Sequence, residues 1–184
     1  MAMKLTTETI KLRFPNVPNI STEELFELMK AESSKRKLVL LDVREEIEFQ
    51  VSRICNACNV SPSLKDMEHI MKMIMETGEA CEGVMKVVCY CSVGYRSSYL
   101  AQRLLCELDK PVYQEMKSKV MVYNLEGSIF KWANEGKELE DNKGLKTLVV
   151  HPYNVVWGKL LNAELRCSEP RESSENERER QPKL

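Results

Sequence analysis

Cys91 stands where an apolar run ends and a short loop begins. Val87-Val88-Cys89-Tyr90 precede it, and Ser92-Val93-Gly94-Tyr95-Arg96 follow. The run has the pattern of a buried strand. Ser97 to Leu105 then has the pattern of a helix. A cysteine between a strand end and a helix start, with one glycine in the loop, is an anion site that contains a nucleophile. The first amides of a helix have no intrahelical partner, and the helix dipole adds partial positive charge there. That field favours thiolate over thiol, so Cys91 is expected to be more acidic than a free cysteine. Arg96, beside the same loop, adds a cation suited to pairing with an anion.

The other candidates weigh less. A cysteine outside such a loop is usually a small buried hydrophobe. Cys89 is expected to point into the sheet packing, and Cys106 to lie in the core on an apolar helix face. Cys81 in a polar loop and Cys167 beside the tail are expected to be thiols without a role. Cys55-Asn56-Ala57-Cys58 has the spacing of half a zinc site or of a redox pair. No second CxxC and no His pair accompanies it, so no metal and no cofactor is expected. The sharper reading is that Cys55 or Cys58 resolves a persulfidated or oxidised Cys91 as a disulfide. His69 and His151 are expected to be unrelated to Cys91. Met67, Met71, Met73 and Met75 lie close together, and core packing is the common reason for such a cluster.

The elements that must position Cys91 follow from pattern. Ser21-Thr22-Glu23-Glu24 reads as a capping box with Ile20 as its staple, opening an amphipathic helix through Leu25, Phe26, Leu28 and Met29. Leu38 to Val43 is a continuous apolar run, the pattern of a strand covered on both faces. A short helix is expected over Glu45–Gln50, a short strand over Ala57–Val60, and a helix over Leu64–Thr77. After the Cys91 helix, which runs to Leu108, come a strand over Val120–Leu125 and a short helix over Ile129–Asn134. Alternating strands and helices imply an α/β domain with a mainly parallel sheet flanked by helices on both faces. In such sheets ligands bind beyond the C-terminal strand ends, where Asp42 and Cys91 both fall.

The boundaries read as a domain over 20–141, an extension over 142–166 that docks on it through Val155-Val156-Trp157 and Leu160-Leu161, and a disordered polar tail over 167–184. The 184 residues suffice for one core, and the net charge of −1 gives no case for nucleic acid or an anionic membrane surface. No apolar stretch has the length of a membrane span. Seven cysteines at irregular spacings do not make a disulfide scaffold. With no secretory pattern at the start of the chain, a reducing compartment is expected, the cytoplasm first. Lys4, Lys11 and Arg13, offset by Glu8, leave a weak mitochondrial signal as the alternative.

Four separated segments together resemble the single-domain rhodanese family. They are Leu41-Asp42-Val43-Arg44 with Glu48-Phe49; Ile54 with Ala57 and Asn59-Val60; Cys91 to Ser97; and Asn124-Leu125-Glu126-Gly127 with Trp132. Their order and spacing match over roughly Ile20 to Asp141. The resemblance implies a thiosulfate-type sulfurtransferase with Cys91 as the nucleophile and carrier of a persulfide. Ser92, Val93, Gly94, Tyr95, Arg96 and Ser97 would form the substrate-binding loop, their amides holding the persulfide and Arg96 pairing with an anionic donor. Asp42, with Arg44 as its partner, would orient loop groups. The implied partners are a small sulfur donor and a thiol or cyanide acceptor, with a protein thiol as a further acceptor.

Related phosphatases place one more residue between the cysteine and the arginine. Here four intervene, Ser92 to Tyr95, and the tighter ring suits a persulfide better than a phosphate. The chain also departs from the family pattern. Ser52-Arg53 stands for the usual Gly-His, Asn56 for a glycine, and Ser128 for the second glycine after Gly127. About eight extra residues lie between Leu108 and Val120. These departures carry the competing expectation, a rhodanese-like binding or regulatory module that turns over little donor.

Overall fold

The computed structural model describes residues 2–31, 38–79 and 83–171. The expectations for Cys81 and for the tail from Glu172 onward lie outside the described residues. Among the described residues, five strands form one parallel sheet: β1 (Asn19–Ile20), β2 (Leu38–Asp42), β3 (Cys58–Asn59), β4 (Met85–Tyr90) and β5 (Val120–Leu125), in the order β1-β5-β4-β2-β3. In β4, Val87, Val88, Cys89 and Tyr90 are all fully buried, as a central strand with both faces covered requires. Cys91 follows β4 directly, at the C-terminal edge of the sheet.

Helices pack around the sheet. They are α1 (Ala2–Arg13), α2 (Thr22–Lys30), α3 (Glu46–Val51), α4 (Glu68–Glu79), α5 (Tyr95–Leu108), α6 (Gln114–Lys117) and α7 (Ser128–Asn134). The capping box that opens α2 is in place: Ser21 Oγ accepts the Glu24 amide at 3.1 Å, and Glu24 Oε2 accepts the Ser21 amide at 2.9 Å. The helix expected from Leu64 starts instead at Glu68, where Asp66 Oδ1 accepts the Glu68 amide at 2.9 Å. The insertion before β5 is a single turn, Pro111–Tyr113, followed by α6.

Two features differ from what the sequence suggests: α1 has no counterpart in the sequence reading, and the core position expected for Cys106 is overturned. Helix α1 buries only Thr7 and Ile10 and leaves Leu5 and Leu12 exposed. It nevertheless props the Cys91 loop, because Phe14, just beyond it, meets the Tyr95 ring edge-on at 5.2 Å. Cys106 is exposed rather than in the core. The buried stripe of α5 is Leu100, Ala101, Leu104 and Leu108. Position 106 lies about 200° round the helix from position 104 and faces outward.

Beyond α7, β6 (Leu139–Glu140) and β7 (Lys146–Thr147) form a small antiparallel ribbon. The chain then returns to the domain. Val150 is fully buried, its amide donates to Leu165 O at 2.7 Å, and its carbonyl accepts the Cys167 amide at 3.1 Å. Asn134 of α7 holds the same segment, donating to Leu160 O at 2.8 Å and accepting the Asn162 amide at 2.9 Å. No helix among the described residues is long and apolar enough to cross a membrane.

Candidate active site

Cys91 Sγ accepts the Gly94 amide at 3.2 Å, and the Ser97 hydroxyl stands 3.5 Å away. Gly94 caps α5 with φ of 117°, a left-handed conformation that L side chains rarely adopt, and this turn aims its amide at the sulfur. Burial by itself would push the Cys91 thiol up. The Arg96 charge, the Ser97 hydroxyl and amide and the Gly94 amide more than offset that and hold it below the ordinary thiol value. Cys89, two residues earlier, has burial without those partners, and its thiol is pushed far up. The contrast separates Cys91, just past the end of β4, from the core cysteine within that strand.

The Arg96 side chain is committed. Its Nη1 and Nη2 donate to Glu48 Oε2 at 2.8 Å and Oε1 at 3.0 Å, and Nη2 also donates to Ser92 Oγ at 2.9 Å. Ser92 Oγ in turn donates to Glu48 Oε1 at 2.9 Å. Glu48 is 1% exposed. Burial pushes its carboxyl up, but Arg96, the Arg44 charge and the Glu45 amide bring it below the usual carboxylate range. In the sequence Glu48 stands out only as part of a family segment. Its α3 position carries a readable signal, because Glu45 and Glu48 have the spacing of a capping box and Glu48 Oε2 accepts the Glu45 amide at 3.0 Å.

Asp42 and Arg44 pair with each other instead of reaching the loop. Arg44 Nε donates to Asp42 Oδ1 at 2.8 Å, and Nη2 donates to Asp42 Oδ2 and Ser52 O, both at 2.6 Å. Among the described residues neither side chain hydrogen-bonds to residues 91–97; the pair fixes the chain leaving α3. Ser97 Oγ also donates to Asn124 Oδ1 at 2.7 Å, and Asn124 Nδ2 donates to Asn19 Oδ1 at 2.8 Å, so β5 and β1 buttress the loop. Ser128 Oγ accepts the Cys91 amide at 3.1 Å. Of the three residues at family glycine positions, Asn56 and Ser128 have φ of 64° and 52°, whereas Ser52 is extended with φ of −168°. At Asn56 and Ser128 the left-handed backbone persists although the glycines do not.

A recess of about 130 Å³ opens at Cys91, lined also by Ser92, Val93, Tyr95, Arg96, Tyr153 and Trp157. The loop residues were expected there, but Tyr153 and Trp157 were not. The Tyr153 ring lies over the Arg96 guanidinium at 4.5 Å. His151, expected to be unrelated, is close enough to the Glu48–Arg96 pair to feel its charges: burial pushes its imidazole down, with Glu48 opposing and Arg44 and Arg96 adding to the shift. Cys55 and Cys58 are free thiols and exposed, and among the described residues no group of three or more His, Cys, Asp or Glu side chains could hold a metal ion.

The fold has known counterparts. The As-Sb reductase from Leishmania major is 24% identical with a TM-score of 0.52, over 61% of this chain and 74% of that one. A yeast protein tyrosine phosphatase of the rhodanese family is 20% identical with a TM-score of 0.54, over 65% and 85%. The thiosulfate sulfurtransferase from Pseudomonas aeruginosa is 20% identical with a TM-score of 0.51, over 76% of this chain and 23% of that one. At these identities the likeness is one of fold. No curated protein matches the chain in sequence. The model of the rhodanese-like domain matches residues 21–135, well over half of the sequence, and the chain therefore belongs to the rhodanese-like domain family.

Proposed function

We propose that the chain is a sulfurtransferase that carries sulfane sulfur on Cys91. The Cys91 thiolate attacks the outer sulfur of a donor such as thiosulfate. A new S–S bond forms as the donor's S–S bond breaks, and its electron pair leaves on sulfite. A thiol or cyanide acceptor then attacks the outer sulfur and restores the thiolate. The observation that carries this reading is the cradle around Sγ: the Gly94 amide at 3.2 Å, the Ser97 hydroxyl at 3.5 Å and the nearby Arg96 charge together favour a sulfur anion.

Phosphatase and reductase members share the fold, so the fold does not choose the reaction. The four-residue loop from Ser92 to Tyr95 and the engagement of both Arg96 Nη groups by Glu48 weigh against a phosphate cradle. Intact-mass measurement after addition of thiosulfate is the test. A gain of about 32 Da, one sulfur atom, that vanishes in Cys91→Ala supports the reading. Absence of any gain with every sulfane donor leaves a rhodanese-like binding module, and turnover of an aryl phosphate would make it a phosphatase.

A further inference from the structure

We infer that Tyr153 and Trp157 form an aromatic wall that makes this site select sulfane-sulfur donors with an apolar body, of the arenethiosulfonate type, over thiosulfate. The inference rests on the sulfurtransferase reading above and names its donor class. Two observations carry it. Among the described residues that line the recess, Arg96 is the one cation, and Glu48 and Ser92 occupy its Nη groups while the Tyr153 ring covers its face. A doubly charged donor therefore meets a neutralised ion pair rather than an open fork. The rest of the wall is Val93 and the rings of Tyr95, Tyr153 and Trp157.

The segment that brings the two rings to the site is built for that placement. Tyr153 has φ of 62°, held by its amide donating to His151 Nδ1 at 3.0 Å. Asn154 Oδ1 accepts the amides of Val156 and Trp157 at 3.0 and 2.9 Å, and Asn154 O accepts that of Gly158 at 2.8 Å. Gly158 packs flat on Pro152, where a Cβ would come within 2.9 Å of Pro152 Cβ. The turn fixes both aromatic side chains from outside the domain that carries Cys91. An apolar cavity of about 150 Å³ is enough to bind benzene. The recess, of about 130 Å³, has room for one ring with its edge toward solvent.

With an arenethiosulfonate, the Cys91 thiolate attacks the terminal sulfur. The new S–S bond forms as the bond between that sulfur and the sulfonyl sulfur breaks, and the electron pair leaves on the arenesulfinate. Two negative charges stand on each side of the step.

The test compares benzenethiosulfonate with thiosulfate as donors to the full chain, each rate divided by that of the same donor with a small thiol in solution. The normalised kcat/KM is expected to favour benzenethiosulfonate by about tenfold, the equivalent of ~1.4 kcal/mol. Trp157→Ala is expected to bring that ratio close to one. A wild-type ratio at or below one, or a ratio unmoved by Trp157→Ala, overturns the inference. Because the substitution could unseat the turn, a second measurement leaves Trp157 in place. In Cys91→Ser, benzenesulfinate is expected to change tryptophan emission saturably, and sulfite is not. Should neither donor load Cys91, the sulfurtransferase reading falls. The benzenesulfinate titration then decides the wall alone: a saturable change upholds it, and no change overturns it.

Discussion

The Ser97 hydroxyl lies 3.5 Å from Cys91 Sγ and 2.7 Å from Asn124 Oδ1, so its single proton has two acceptors. With a neutral thiol, the shorter contact to Asn124 takes the proton. With a thiolate, the charged sulfur competes for it, since hydrogen bonds to charged groups are the stronger kind. A hydrogen bond to a charged group contributes ~1.5–3 kcal/mol, and the long contact here falls at the low end. Since 1.36 kcal/mol corresponds to one pKa unit, Ser97→Ala is expected to raise the Cys91 midpoint by about one unit. The check is the pH dependence of Cys91 alkylation, followed on its own peptide because Cys91 is buried at the floor of its recess while Cys55, Cys58 and Cys106 are exposed and react as well. In the wild type the rate should rise with pH and level off below the ordinary thiol midpoint. An unmoved midpoint in Ser97→Ala would assign the proton to Asn124 in both states.

Glu48 and Arg96 are expected to behave as one unit. Glu48 is almost fully buried, while Arg96 keeps 19% side-chain exposure. Removing one partner of a buried pair costs ~3–5 kcal/mol, and the partial exposure of Arg96 reduces that to about 2–3. Glu48→Gln and Arg96→Gln should each lose about that much, and the double variant less than the sum. The Glu48 carboxyl titrates below its unfolded value, so its contribution is complete above about pH 4.3 and is lost as pH falls through the depressed folded value. The gap between wild type and Glu48→Gln in urea unfolding should therefore narrow from pH 7 to pH 3. Equal stability at pH 7 would show the Glu48–Arg96 pair to contribute nothing.

The sheet was legible because its central strands carry continuous apolar runs, and β5 was read with both its ends. The helix α2 was legible from its capping box. Helix α1 was not, because its apolar residues do not line one face: Leu5 and Leu12 are exposed while Ile10 is buried. The place of Cys91 between β4 and α5 was legible from the strand–loop–helix context, which is local. The partners of that loop are not local. Glu48 Oε1 meets Ser92 across 44 residues, and Tyr153 meets Arg96 from an element after the domain. Glu45, Glu46 and Glu48 are chemically alike and adjacent at the start of α3; the capping-box spacing marks Glu48 as a backbone acceptor, but only the packing of α3 makes it the partner of Arg96. That Glu48 and Ser92 hold the Arg96 Nη groups has no local signal around position 96.

Ser128 separates backbone strain from hydrogen bonding. Its φ of 52° costs ~1–2 kcal/mol for a residue with a Cβ, whereas its Oγ is the acceptor for the buried Cys91 amide. Ser128→Gly removes the strain together with the acceptor, and Ser128→Ala removes the acceptor and keeps the strain. The glycine variant should therefore be the more stable of the two, by about 1 kcal/mol. Both should slow Cys91 alkylation, because the amide that anchors the start of the loop is left unpaired. An alanine variant as stable as the glycine variant would show that the left-handed conformation stores no energy here.

His151 offers a pH window apart from that of the carboxylates. Its Nδ1 accepts the Tyr153 amide at 3.0 Å, which requires that nitrogen to be unprotonated. Burial, opposed by Glu48 and reinforced by Arg44 and Arg96, holds the imidazole below its ordinary value. A depressed histidine favours the folded state fully above the unfolded value of about 6.5. As pH falls below that, the unfolded chain takes up the proton first, and the contribution is lost by the time the folded value is passed. Wild-type unfolding free energy should therefore decline between pH 7 and pH 5, before Glu48 and the other paired carboxylates begin to titrate. His151→Gln should flatten that slope. Trp157 emission should change over the same window, because the turn that begins at His151 carries it. A slope equally steep in His151→Gln would place the titrating group elsewhere.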